Sequence, residues 1–187
     1  MSTTLVILGL IAAAALFLIT IYNRLVKARQ MVREGFSGID VQLKKRANLI
    51  PNLVAAVKGY MKHEKDLLEK ITELRARALG MDENTPPSER SRIEQQISSM
   101  LRKVTVAVEN YPDLKANQNV IDLQQQLRQI EHDIQMSRRY YNGAVRDNNI
   151  LVESFPSNLV ANYFHFEKAE YFELQDDADR QVPKVEL

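Results

Sequence analysis

The first charged side chain in the sequence is Arg24, and nearly everything ahead of it is apolar. Leu5 to Ile21 (LVILGLIAAAALFLITI) is a run of 17 residues interrupted only by Gly9 and Thr20. As a helix it extends roughly 25 Å, and the uncharged residues on either side bring it to the ~30 Å of a hydrocarbon core. The run therefore predicts a membrane-spanning helix, with Tyr22 at the interfacial level that aromatics prefer. A cleaved signal peptide would carry basic residues before its apolar core and a small-x-small site after it. Neither is present, so the segment is expected to remain as an anchor.

The flanks set the orientation. Arg24, Lys27, Arg29 and Arg33 all follow the run, and no Lys or Arg precedes it. The positive-inside rule places the N-terminus outside and everything after Tyr22 in the cytoplasm, which makes this a single-pass protein of the cell membrane. The lipid bilayer, met through Leu5 to Ile21, is the first expected partner.

The remaining composition mostly excludes. With no Cys there is no disulfide, thiol nucleophile or thiolate metal site. Net charge is only +1, yet Arg24 to Gly80 holds 13 Lys and Arg against 6 acids, and Glu153 onward holds 3 against 8. That asymmetry reads either as topology signal plus solvated helix faces, or as a basic stretch beside anionic head groups and an acidic tail for a partner. The basic residues are diluted by acids and lack interleaved aromatics, so no nucleic acid is expected.

After the anchor the chain reads as helix with a seven-residue repeat. Val32, Ile39, Arg46, Leu53, Tyr60, Leu67 and Leu74 form one series; Phe36, Leu43, Ile50, Val57, Glu64, Ile71 and Ala78 form the other. Steps of three and four are those of a buried helical stripe. The phase survives Pro51, which predicts one long kinked helix from Val32 to Ala78 despite the lost hydrogen bond. Gly80 closes it, Thr85 or Ser88 caps a second helix with Pro86 and Pro87 in its first turn, and Pro112 stops that helix near Asn110. A third restarts around Asp113 to Asn117 and buries Val120, Leu123, Leu127, Ile130, Ile134, Ser137, Tyr141, Ala144, Asn148 and Leu151. A short fourth, capped by Ser154 or Ser157, passes through Leu159 and Val160. Tyr163, Phe164, Phe166, Tyr171 and Phe172 then form a lid over one end or a ligand cage, before an acidic, extended tail through Val182 to Val185.

The expected fold is all-α: an N-terminal transmembrane helix followed by an antiparallel helical bundle of three long helices plus a short fourth. Its parts are the anchor (1–22), the long-helix bundle (23–154), and the short helix, aromatic-rich segment and extended acidic tail (155–187).

Chemistry-bearing patterns are scarce. His63-Glu64 lacks the second His of a zincin helix, and Glu131-His132-Asp133 points its members to different helix faces. Neither a Gly-rich phosphate loop nor a Gly-x-Ser-x-Gly elbow occurs. No catalytic residue, cofactor or metal site is expected. Two charges, Arg46 and Glu64, interrupt the apolar stripe of the first helix. About 27 Å apart along it, they cannot pair. Each either sets register or binds a partner at a seam, or snorkels to the bundle edge; Asn148 and Ser137 are candidate partners. Asp40, Gln42, Asn48 and Asn52 form either a binding surface or inter-helix hydrogen bonds.

These residues resemble the LemA family of small bacterial membrane proteins. The likeness is carried by Ile39-Asp40-Val41-Gln42-Leu43-Lys44-Lys45-Arg46-Ala47-Asn48-Leu49-Ile50-Pro51-Asn52-Leu53-Val54, continuing through Val57-Lys58-Gly59-Tyr60 and His63-Glu64. Tyr111-Pro112-Asp113-Leu114-Lys115-Ala116-Asn117, Phe155-Pro156-Ser157-Asn158, Tyr171-Phe172 and Pro183-Lys184-Val185 extend it over nearly the whole chain after the anchor. At Gly35-Phe36-Ser37-Gly38 the sequence departs from the Ala-Trp-type pair expected there. The resemblance implies one N-terminal transmembrane helix, a short external N-terminus and a helical body. It also implies an envelope task shared with proteins often encoded nearby, membrane metalloproteases among them.

The expected function is that of a non-enzymatic, membrane-anchored interaction or scaffold protein of the bacterial envelope. The alternatives are an adaptor or regulatory subunit of a membrane protease or envelope-stress system, with an integral-membrane partner, and an enzyme with an unrecognised site near His63 and Glu64. The first helix outruns the other two, so Val32, Phe36 and Ile39 are expected to lack cover within the chain and to hold a homo-oligomer together.

Overall fold

The computed structural model of the protein describes residues 2–82 and 85–173. Six α-helices follow one another there: α1 (Ser2–Lys58), α2 (Lys65–Leu79), α3 (Pro87–Val108), α4 (Pro112–Lys115), α5 (Gln118–Glu153) and α6 (Ser157–Tyr163), with one 3₁₀ turn, Lys62–Glu64, ahead of α2. The described residues contain no strand, so the protein is all-α. The tail expected to be acidic and extended lies outside the described residues.

Helix α1 passes through Pro51 without a break, and a side chain explains how. Proline has no N–H to give the carbonyl four residues back, which here belongs to the buried Ala47. Arg75 on α2 donates its Nε–H to that carbonyl at 2.7 Å. An orphaned buried carbonyl costs about 1–3 kcal/mol, and Arg75 removes most of that cost.

The single helix expected from Val32 to Ala78 is instead divided after Lys58. The Val57 carbonyl accepts from the N–H groups of both Tyr60 and Met61 at 3.0 Å, and Met61 turns into the core at 1% exposure. Tyr60 and Glu64, which carried the repeat across this point, are respectively exposed and only half-buried. Beyond the break α2 buries Leu68, Ile71 and Leu74, so the inward face includes Leu68 where the repeat pointed to Leu67. Gly59 weakens the helix at this point, and burying Met61 rewards the turn.

The chain divides into two compact units, one of residues 1–39 and 136–171, the other of residues 40–135 and those from Phe172. They cut the chain differently from the anchor, bundle and tail expected from the sequence, since α1 and α5 each contribute to both. In the larger unit one cluster gathers Ile50, Leu53, Val57 and Met61 with Leu68, Ile71 and Leu74 of α2, and Ile93, Ile97, Leu101 and Val104 of α3. Leu114, Val120 and Leu127 extend it. Pro86 precedes α3 and Pro87 occupies its first turn, but neither Thr85 nor Ser88 caps it. Arg90 fastens the start of α3, donating from Nη1 to Asp40 and from Nη2 to the Asp82 carbonyl, both at 2.9 Å. Helix α5 begins two residues beyond α4's end cap, where the Asn117 side chain accepts from the N–H of Asn119 at 3.0 Å.

In the smaller unit, Leu5 through Ile19 of α1 are exposed, and burial begins at Ile21. Ile21 and Leu25 pack with Val160 and Ala161 of α6 and with Phe166. Helix α6 has no side-chain cap; Ser157 instead donates to the Ser154 carbonyl at 2.9 Å. His165 (φ 56°) takes the left-handed geometry that reverses a helix end, and the Phe166 N–H reaches the Ala161 carbonyl at 2.9 Å. That turn lays Phe166 against Tyr22 and beneath the Arg29 guanidinium, 4.7 Å from its ring centre. The segment after it is held by α5: Asn148 donates to the Glu167 carbonyl, Asn149 exchanges two bonds with Ala169, and Tyr141 donates to the Glu170 carbonyl at 2.7 Å.

Gly35 marks a close approach between α1 and α5. A Cβ there would stand 3.0 Å from the Tyr141 Cα and 3.2 Å from the Tyr140 ring, whereas one at Gly38 would meet nothing within 4 Å. Gly→Ala in an exposed helix interior ordinarily stabilises by about 0.5–1 kcal/mol. Gly38→Ala should follow that rule, and Gly35→Ala should reverse it, losing about 1–3 kcal/mol to overpacking. Denaturant unfolding of the two variants decides; equal gains at both positions would mean that α1 and α5 are not closely packed here.

Candidate functional site

Arg46 is the most fully enclosed charge in the described chain, 1% exposed. It stands on α1 among apolar neighbours, and two helices converge on it with acceptors. From α3, Glu94 offers both its carboxylate and its backbone carbonyl, the latter at 3.2 Å from Nη2. Nη1 donates to Ser98 on α3 and to Glu131 on α5, each at 2.6 Å, and Ser98 donates in turn to the other Glu131 oxygen at 3.0 Å. One planar cation thus ties three helices together, a task that suits the fixed donor fork of guanidinium.

The cluster holds two carboxylates for one guanidinium. Glu94 is the more buried, its side chain 10% exposed against 32% for Glu131. Burial pushes the Glu94 carboxyl above its ordinary value of 4.5, and the nearby Arg46 offsets this only in part. A protonated Glu94 would leave Arg46 and Glu131 as a balanced pair. The arrangement is equipped to set helix register and to take up one proton.

Arg46 therefore does not snorkel to an edge, and its partners are Glu94, Ser98 and Glu131 in place of the Asn148 and Ser137 weighed from the sequence. Asn148 is buried as expected but serves the Glu167 carbonyl. Asp40 joins Arg90 and Lys44, at 2.9 and 2.7 Å. Gln42 is half-buried with its side-chain oxygen unpartnered, whereas Asn48 and Asn52 are exposed. Of the set Asp40, Gln42, Asn48, Asn52, Asp40 alone bonds to another helix among the described residues, through Arg90 of α3. Glu64 lies at the end of the 3₁₀ turn, where it and His63 line an open groove of about 760 Å³ with Asp66, Lys70, Arg102 and Lys103.

The premise that Val32, Phe36 and Ile39 lack cover within the chain does not hold. Ile39 is fully buried, Val32 and Phe36 are half-buried, and the Phe36 ring leans on Tyr141 at 5.8 Å between centres. Helix α5 supplies cover here through Tyr141 and Tyr140, at a height along α1 that lengths alone do not give.

Sequence reasoning missed Glu94, Ser98, Glu131, Arg75 and Arg90. A signal was present for the carboxylates: Glu94 adjoins Ile93 in the apolar stripe of α3, and Glu131 lies between Ile130 and Ile134 on α5. An enclosed Arg on one stripe calls for acids bordering the others.

These features define a class: an all-helical protein whose first helix carries a stretch long and apolar enough to cross a membrane, and whose body is pinned by a buried Arg and Glu cluster. The sequence model of the LemA family matches residues 35–187. Among curated proteins, Protein LemA of Metamycoplasma hominis is 25% identical over 166 residues, which is 88% of this chain and 74% of that protein. The chain belongs to the LemA family. Glu94, Ser98 and Glu131 all fall inside the matched region, as does the motif around Arg46.

Proposed function

We propose that this protein is a membrane-anchored interaction protein that holds a helical body at the cytoplasmic face of the cell membrane and acts through a protein partner. The observation that carries the reading is the course of α1. Its exposed apolar stretch runs, with no intervening turn, into Ile21, Leu25 and Ala28, which are already buried in the body. An anchor that is also core fixes the body beside the bilayer, as a scaffold requires. The Arg46 cluster supports the same reading, because its polar atoms cross-link helices and do not line a cleft.

The test is purification of the full-length chain from native membranes in mild detergent. The chain is expected to emerge as an assembly, either of identical copies or with an integral-membrane protein in fixed ratio. The second result would make it an adaptor. A folded monomer with no partner at any detergent concentration would count against an interaction role.

A further inference from the structure

Exposed large apolar residues beyond the anchor are scattered singly over most of the chain, as on any protein surface. The exception surrounds α6. Phe155 to Phe164 is a ten-residue stretch without a charge, and one of its faces packs inward through Ser157, Val160 and Ala161. The other face carries Phe155, Leu159, Tyr163 and Phe164 at 79, 60, 77 and 50% exposure. Such a patch facing water is unfavourable and marks a contact surface.

Its position names the contact. Between α6 and α1 runs a groove of about 560 Å³, lined on α1 by Leu18, Ile19 and Tyr22 and on the other side by Leu159, Val160 and Tyr163, with Phe164 at its edge. The Phe164 ring meets Tyr22 edge-on, 4.8 Å between centres. Leu18 and Ile19 belong to the apolar run itself, roughly 3–5 Å before its end at Ile21 along the helix axis. If that run spans a bilayer, whatever touches Leu18 and Ile19 sits at their depth. Arg24 and Lys27 follow on α1, exposed, at the level where head groups begin.

We propose that α6 with Phe155 and Phe164 is a lipid-facing interfacial element, and that the groove between α1 and α6 is filled by the acyl chain of a membrane phospholipid. The occupant follows from continuity: the groove wall is an extension of the spanning surface, and its lining has only the two tyrosine hydroxyls as polar side-chain groups. Helices lying 5–10 Å deep in the interface carry aromatics and Leu on the buried side in this way, and Tyr163 and Tyr22 are the amphipathic rings that favour this depth. Through this element the chain would grip the bilayer at a second point besides its span. The inference rests on the reading of Leu5 to Ile21 as a span.

The chain contains no Trp, so single Trp substitutions give unambiguous reporters. Leu159→Trp and Tyr163→Trp replace exposed residues, and helical circular dichroism of each variant checks that its fold is kept. Leu10→Trp reports the span itself, and Val106→Trp, at an exposed position on α3, reports water. Each full-length variant is reconstituted into vesicles of phosphatidylcholine and phosphatidylglycerol whose phosphatidylcholine carries bromine near the top or near the middle of its acyl chains. The expected result is that Leu159→Trp and Tyr163→Trp lose most of their emission to bromine near the top of the chain and less to bromine at the middle. Leu10→Trp should lose more to the middle, and Val106→Trp should be untouched. Quenching at Leu10→Trp with the α6 variants behaving like Val106→Trp would overturn the proposal and spare the anchor. Shielding of the α6 variants from aqueous quencher without response to bromine, lost when the protein is diluted into excess lipid, would assign the groove to a second copy of the chain. No quenching at Leu10→Trp would remove the anchor, and the proposal with it.

Discussion

Replacing Arg46 with Met should cost the folded protein about 3–5 kcal/mol, the largest loss expected of any single substitution in the cluster. The guanidinium is enclosed, and its removal leaves Glu94 and Glu131 without their shared cation, with Ser98 still bonded to Glu131 and Arg90 the remaining cation acting on Glu94. Full-length protein in mild detergent, unfolded by denaturant and followed by helical circular dichroism, provides the measurement. A loss below about 1 kcal/mol, the scale of an exposed ion pair, would show that the charge is solvated. Replacing Arg46, Glu94 and Glu131 together by apolar residues of similar volume should recover most of the loss, because the Coulombic gain of a buried pair barely exceeds its desolvation. The same cluster fixes a pH dependence. The folded chain keeps the Glu94 proton to higher pH than the unfolded chain, so this group's contribution is greatest below 4.5 and is lost as pH rises through its raised value. Glu94→Gln, neutral throughout, should remove that slope.

Leu53→Ala should lose about 2–5 kcal/mol, with the upper part of that range expected from its surroundings. Leu53 is 2% exposed on α1 and belongs to the cluster that joins α1, α2 and α3, with fixed helices on each side to resist collapse into the cavity. Ile130→Ala, on the same periodicity argument, would be its equal. The structure separates them: Ile130 is only half-buried on α5, so its truncation removes less area from the core and leaves an open dent. The order Leu53 well above Ile130 is the expected result in denaturant titrations of the two variants. Equal losses would mean that the face of α5 bearing Ile130 is covered by something outside the single chain.

Those two leucine and isoleucine positions show what periodicity can and cannot supply. The stripes of α1, α3 and α5 were legible because steps of three and four repeat over many turns, and the stops at Gly80 and Pro112 follow from backbone chemistry alone. The break after Lys58 was not, because a repeat counted through Tyr60 and Glu64 keeps its phase whether or not those residues are buried. Pro51 was read correctly as tolerated, but the reason sits 24 residues away in Arg75, and no local pattern announces a side chain that caps a distant carbonyl. Arg46 was conspicuous from its place in the stripe. Its partners were hidden because Glu94 and Glu131 lie on helices that look conventionally amphipathic, and only packing shows which acids turn inward. Similarly, the uncovered length assigned to Val32, Phe36 and Ile39 came from comparing helix lengths, which do not say at what height α5 lies along α1. At Gly35, where the resemblance leads us to expect a bulkier pair, the absent Cβ makes room for Tyr141 and Tyr140.

Orientation in the membrane is the point on which the functional account turns, and protease added to intact cells stripped of their wall tests it most directly. The proposed function, with Arg24, Lys27, Arg29 and Arg33 on the inner side, predicts that the chain survives whole, losing at most the few residues ahead of Leu5. The body should become cleavable once the membrane is opened by detergent. Degradation of α2 through α6 in intact cells would place the body outside, and would contradict the account of a cytoplasmic interaction protein held at the bilayer by α1.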